Sequence, residues 1–151
     1  MDLEVTVDGD TQLQRTLTRF AGRVQDVSPA FAKIADTIAT GEEQQFTTEG
    51  RYGSGGWAAL SPKYRAWKER RYPGMPILVR TGALRASLTQ RPFGVEHIGP
   101  LEMTIGTALP YSRFHQQGTA RMPQRRPLEL PDEERTALVK VLQKFIVSGE
   151  V

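Results

Sequence analysis

Cysteine is absent from the 151 residues, which excludes a disulfide framework, a thiolate zinc site and a cysteine nucleophile. The absence suits reducing and oxidising compartments equally. Histidine is scarce: His97 and His115 are the whole supply. Neither stands in HExxH spacing or beside a sequence cluster of carboxylates, so each is expected to make a structural hydrogen bond. No apolar run approaches the roughly 18 residues of a membrane span. The opening Met1-Asp2-Leu3-Glu4 is acidic and alternating, the opposite of a signal peptide, and cytoplasmic synthesis and folding are expected. No serine sits in a G-x-S-x-G elbow, since Tyr52 stands two places before Ser54. Gly50 to Gly56 has almost the glycine spacing of a phosphate loop, but Gly56-Trp57 occupies the place of Lys-Ser/Thr and no strand precedes it. Glu42-Glu43 and Asp132-Glu133-Glu134 read as solvated helix faces and a helix start. No enzyme, cofactor or metal is expected.

What is present is ordinary for a globular chain: 38% hydrophobic and 25% charged residues. The length suits a single domain over 1–151 whose one apolar core needs no staple. Charge is uneven. The net +3 divides into −5 over residues 1–50, +10 over 51–126 and −2 over 127–151, and fifteen of the twenty cations are arginine. A positive middle between negative ends fits nucleic-acid binding, self-association of opposite faces, or a solvated basic surface.

Leu3, Val5 and Val7 alternate with polar residues and predict a short strand, ended by Asp8-Gly9-Asp10, with Asp10 capping the next helix. Leu13, Leu17, Phe20, Val24, Val27, Phe31, Ile34 and Ile38 then repeat at 4-3 spacing. Ser28-Pro29 interrupts this seam without breaking register, predicting a proline-bent helix or two helices that share one buried face. Such a seam is more often core than a coiled-coil contact. After the glycine loop, Ser61-Pro62 opens a short helix to Arg71, and Pro73 to Pro76 breaks it. Residues 50–80 are expected to form an extended basic loop arm. Thr81 is expected to cap a helix through Leu84 and Leu88. Gly99-Pro100 predicts a hairpin between a strand over Phe93–Ile98 and one through Leu101, Met103 and Ile105. Pro110 starts a helix over Tyr111–Gln117 that Gly118 stops, and Arg121 to Pro127 reads as an irregular basic arm. Pro131 and three acids begin a last helix with Leu138, Val141, Leu142, Phe145 and Ile146 on its apolar face. The order predicts an α+β fold: a small antiparallel sheet packed against the long N-terminal helix and the C-terminal helix, with the loop arm outside.

The densest signal is Trp57, Tyr64, Trp67 and Tyr72 interleaved with Lys63, Arg65, Lys68, Arg70 and Arg71. Rings among cations can stack bases against neutralised phosphates. Tryptophan and arginine are equally the residues of protein–protein hot spots. Three stretches are familiar: Trp57 to Tyr64, Lys68 to Arg71, and Pro76 to Leu88 with its core Arg80-Thr81-Gly82-Ala83-Leu84. Together with Ile105-Gly106-Thr107, Pro110-Tyr111, His115, Gly118-Thr119 and Met122-Pro123, they resemble the virion-morphogenesis (tail-completion) family of Mu-like tailed phages, over about residues 3–147. The resemblance implies a structural, non-enzymatic protein of the head–tail junction. Such a protein would form an oligomeric ring, a hexamer, between head-connector proteins and tail-terminator or tail-tube proteins, with genome DNA passing through the lumen and no membrane involved. It would be assembled in the host cytoplasm and end in the virion neck. The expected intersubunit residues are Trp57, Leu60, Tyr64, Trp67, Arg70, Arg71, Ile77 and Arg80, with both tryptophans outside the protomer's core. Gly82 is expected to allow close backbone packing. The competing reading is a basic nucleic-acid-binding module.

Overall fold

The computed structural model describes residues 10–53 and 55–151. The strand expected over Leu3–Val7 and the Asp10 side chain expected to cap the first helix lie outside what is described. Among the described residues the order is α1 (Asp10–Gln25), α2 (Ser28–Thr47), α3 (Pro62–Arg71), α4 (Ala83–Thr89), β1 (Val95–Ile98), β2 (Met103–Gly106), α5 (Ser112–Gln117) and α6 (Asp132–Ser148). The fold is α+β, as the sequence order implies.

The long apolar seam resolves into two helices. Asp26 breaks it by accepting the Ser28 N–H at 3.0 Å, and Pro29 begins α2 where a missing N–H costs nothing. The Val27 N–H, freed at the break, donates to the Pro100 carbonyl in the hairpin turn at 2.8 Å. The two helices do not share a buried face. On α2, Ala30, Ile34, Ala35 and Ile38 are at most 4% exposed, whereas Leu13, Leu17, Phe20 and Val24 on α1 are 43–59% exposed. Its described attachment is at its last turn, where Arg23 Nη1 donates to the Val147 carbonyl at 2.7 Å at the end of α6. A cation there satisfies carbonyls that the helix end leaves unpaired.

Helix α2 is the spine of the protomer. Its middle packs with Phe93 and Leu138 and with the inner residues Ile98, Met103 and Ile105 of the hairpin. Its C-terminal end, through Phe46, meets Trp57, Val79, Leu84 and Leu88. Its first turn, with Val27 and Ala30, meets Phe145 of α6. The hairpin is antiparallel, with Ile98 opposite Met103 and Val95 opposite Gly106, and its turn closes through Gly99 N–H to the Glu102 carbonyl at 2.8 Å. The first strand starts two residues later than its sequence pattern suggests, because Phe93 turns into the core ahead of it. Helix α6 ends at Gly149, in the left-handed region at φ 81°.

Gly82, not Thr81, holds the N-cap position of α4, at φ 83°. A Cβ there would meet nothing within 4 Å. Glycine is needed for the left-handed backbone that turns the chain into the helix, not for the close approach expected from the sequence.

Candidate functional site

The expected arm over residues 50–80 starts by folding back. Gly50 stands at φ 86°, and a Cβ on it would lie 2.4 Å from the Trp57 ring, so the bare glycine forms the floor on which the indole rests. Trp57 lies edge-on to Phe46 with centroids 5.4 Å apart, and its Nε1–H donates to the Arg126 carbonyl at 3.0 Å. At 8% exposure it belongs to the protomer's core. This corrects the expectation that it stands outside the core: glycine-rich flanks look like a mobile arm but here allow a tight return. Ile77 is also drawn inward, half-buried against the same cluster, with its N–H donating to a Glu49 carboxylate oxygen at 2.7 Å.

The other expected residues divide between a cavity and an outer face. Helix α3 begins with Ser61, whose hydroxyl accepts the Tyr64 N–H at 3.4 Å, and is exposed along its length except at Lys68. Trp67 is 40% exposed and stacks on Tyr64 at 5.4 Å between centroids, with Tyr72 tilted against its other side at 5.9 Å. Arg70 and Arg71 are exposed beside them. This ladder of rings and cations is the outer face.

Leu60, Tyr64 and Arg80 line the cavity, of about 610 Å³. Around it converge Leu78 to Leu84, Tyr111 at the N-cap of α5, His115 within that helix, and Arg121 to Pro123. These segments are far apart in sequence and largely coincide with the stretches that carry the family resemblance. Leu78 sits at φ 62°, a conformation uncommon for a residue with a side chain, on the cavity wall. His115 does not make the expected side-chain hydrogen bond: its Nδ1 is buried without a partner among the described residues. Burial, with the nearby Arg125 charge, holds its pKa down, so the ring is neutral at physiological pH. His97 is different, on the exposed side of the hairpin with Nε2 3.3 Å from the Glu102 carboxylate.

Two buried cations were hidden from sequence reasoning. Arg125, 5% exposed, donates to the carbonyls of Ala58 at 2.6 Å and Ala59 at 2.9 Å. With the Arg126 carbonyl that receives Trp57 and Gln45, it fastens the start of the arm to the body. Lys68, 4% exposed, turns under α3 to donate to the Pro76 carbonyl. Nothing in the spacing of either residue separates it from its solvated neighbours.

Glu42 also departs from expectation. It is 1% exposed rather than solvated, because it faces the Glu129–Glu134 side of the molecule across α2. One carboxylate oxygen accepts the Glu129 N–H at 3.2 Å, and the other has no partner among the described residues. Burial, helped by the Glu134 and Glu129 charges, pushes its pKa up to about 8, against the opposing pull of the Glu129 N–H. Glu134, raised by burial, accepts the Tyr52 hydroxyl at 3.1 Å, while Glu43 stays at the surface and pairs with Arg85. Among the described residues, no group of three or more His, Asp or Glu side chains is placed to hold a metal ion. The arrangement offers recognition surfaces: a cationic cavity, an aromatic-basic ladder and a bare helical stripe on α1.

The model of the phage virion morphogenesis family matches residues 8–146. No curated protein and no solved structure matches the chain.

Proposed function

The chain belongs to the phage virion morphogenesis family, and on that premise we propose that it is a head–tail junction protein whose copies form a ring that completes the tail and joins it to the head. Membership supports a structural role in phage virion morphogenesis. The ring, and its seat in the neck between head-connector and tail-terminator or tail-tube proteins, are the proposed part. A hexamer with a DNA-conducting lumen is the form we expect. Among the described residues no helix is long and apolar enough to cross a membrane.

The observation that carries the reading is α1. A monomer in water has no use for four large apolar side chains in a helical row, 43–59% exposed. A protein that works by association does. Of the positions flanking the row on the helix surface, Gln14, Thr16 and Ala21 carry no charge and Arg23 is already engaged by the carbonyls at the end of α6, while Arg15 and Arg19 lie elsewhere around the helix. The outer face of α3 adds Trp67 with Arg70 and Arg71, the composition of an interface hot spot. Weak contacts of this kind become firm when symmetry repeats them round a ring.

Electron microscopy of a lysate from phage lacking the gene tests the reading. Filled heads and finished-looking tails that remain unjoined are expected. Empty heads without packaged DNA, or normal infectious particles, would contradict it.

A further inference from the structure

The cavity is electrostatically one-sided. Among the described residues Lys68, Arg80, Arg121 and Arg125 line it, and no aspartate or glutamate does. Two of these cations, Lys68 and Arg125, are almost fully buried and are held only by neutral carbonyl oxygens: Pro76 for the first, Ala58 and Ala59 for the second. Neither has a carboxylate within ion-pair distance among the described residues. Burial pulls the pKa of both downward, opposed at Lys68 by the charges of Glu49 and Glu69 beyond ion-pair distance. A desolvated cation whose direct contacts are carbonyl oxygens is incompletely compensated, and an anion brought into the cavity would relieve both at once. The unpartnered Nδ1 of His115 is a further buried polar atom on the same wall. The rest of the wall sets apolar Leu60, Leu78 and Met122 among the hydroxyl-bearing Ser61, Tyr64, Thr81 and Tyr111. The fitting occupant therefore alternates carboxylates with apolar side chains.

The chain carries such a segment. Asp2-Leu3-Glu4-Val5-Thr6-Val7-Asp8 has three carboxylates, three apolar residues and no basic side chain. It leads directly into α1, which is exposed from Thr11 to Gly22 and tied to the body near its far end by Arg23. A helix of 16 residues is about 24 Å long, so the segment starts well away from that anchor. We propose that the cavity receives residues 2–8 of a second copy, with their carboxylates meeting Lys68 and Arg125 within it and Arg80 and Arg121 at its rim, and their apolar side chains against Leu60 and Met122. The α1 stripe of the same copy would then lie along its neighbour. The proposal rests on the self-association argued above and supplies it with a specific contact.

A fluorescein-labelled peptide of residues 1–10, titrated into chain lacking residues 2–8 and followed by anisotropy, tests the docking directly. Binding is expected. It should weaken about tenfold or more when Arg80→Glu and Arg121→Glu are introduced together at these exposed positions, with a thermal melt of the variant confirming that it folds. The same loss is expected with peptide carrying Asp2→Asn, Glu4→Gln and Asp8→Asn. No binding, or binding indifferent to both sets of changes, would overturn the proposal. In the full-length chain, a photo-crosslinker at Leu3 should join two copies. A crosslink confined to the monomer would mean that each cavity holds its own segment, and would also overturn it. Sedimentation separates this proposal from the ring. Unchanged assembly without residues 2–8 would defeat the docking and leave the ring standing. Peptide binding by a full-length chain that pairs without closing a ring would defeat the ring and leave the docking standing.

Discussion

Helices α1 and α2 carry the same apolar spacing and meet opposite fates. On α2 the row Ile34 and Ile38 is buried at 3–4% against α6 and the hairpin, and Phe46 beyond it at 1% against α4. On α1 the row Leu13, Leu17, Phe20 and Val24 keeps roughly half its surface in water. Periodicity states that one face of a helix will be covered, but not which chain covers it. The protomer settles α2 because the hairpin, α4 and α6 all return to it. It leaves the apolar row of α1 uncovered among the described residues, with the helix held to the body chiefly through Arg23 at one end.

The sharpest contrast of the same kind lies between the two tryptophans. Trp57→Ala should lower protomer stability by about 3–5 kcal/mol, since it empties a core site and orphans the Arg126 carbonyl. Trp67→Ala should leave the melting temperature of the protomer nearly unchanged and weaken assembly. Chemical denaturation of both variants beside sedimentation checks this, and equal losses of stability would erase the distinction between core and contact face.

Buried Glu42 gives α2 a pH signature that α1 lacks. Folded, it keeps its proton up to about pH 8, while the unfolded chain releases it near the ordinary carboxylate value. The unfolded state therefore binds fewer protons across that interval, and this residue's contribution falls as pH rises from about 4.5 to 8. Glu43 and Glu96, both held low by arginine partners, act in the opposite sense and only at lower pH. Glu42→Gln mimics the protonated form and should flatten the decline, gaining on the order of a few kcal/mol above pH 8. Melting curves from pH 5 to 9 measure it, and parallel curves for the two proteins would refute the assignment. Smallest is the effect of charge on the outer face. Arg70→Glu with Arg71→Glu should impair assembly at low salt, whereas raising salt should loosen the native assembly only modestly, since exposed pairs contribute about 0–1 kcal/mol each. A steep salt dependence coupled to tight DNA binding would favour a nucleic-acid module instead.

Much of the fold is legible in the sequence because it depends on local chemistry. Gly99-Pro100 marks the hairpin turn, Pro131 with three acids starts α6, and Ser61-Pro62 starts α3, each through backbone constraints that act within a few residues. The site is legible only in part. Leu60, Tyr64 and Arg80 do meet at the cavity, and Trp67, Arg70 and Arg71 do face outward. Trp57, Arg125 and Glu42 are misread because their environments draw on residues tens of positions away, and Lys68 because the chain beyond α3 turns back to offer it the Pro76 carbonyl. Arg125 is buried by the carbonyls of Ala58 and Ala59, and Glu42 by the chain at Glu129. A sequence window sees a glycine-flanked tryptophan or a pair of glutamates, and those patterns ordinarily belong to solvent.

The central claim is that α1 is bare in the protomer because a second copy covers it. Sedimentation velocity of the full-length chain and of Leu17→Glu with Phe20→Glu, each accompanied by a thermal melt, tests it most directly. The account predicts that the native chain forms a closed oligomer, while the double variant sediments as a monomer that melts within a few degrees of the native protomer. A variant that assembles as the native chain does, or one that unfolds because α1 belongs to the protomer's own core, would contradict it.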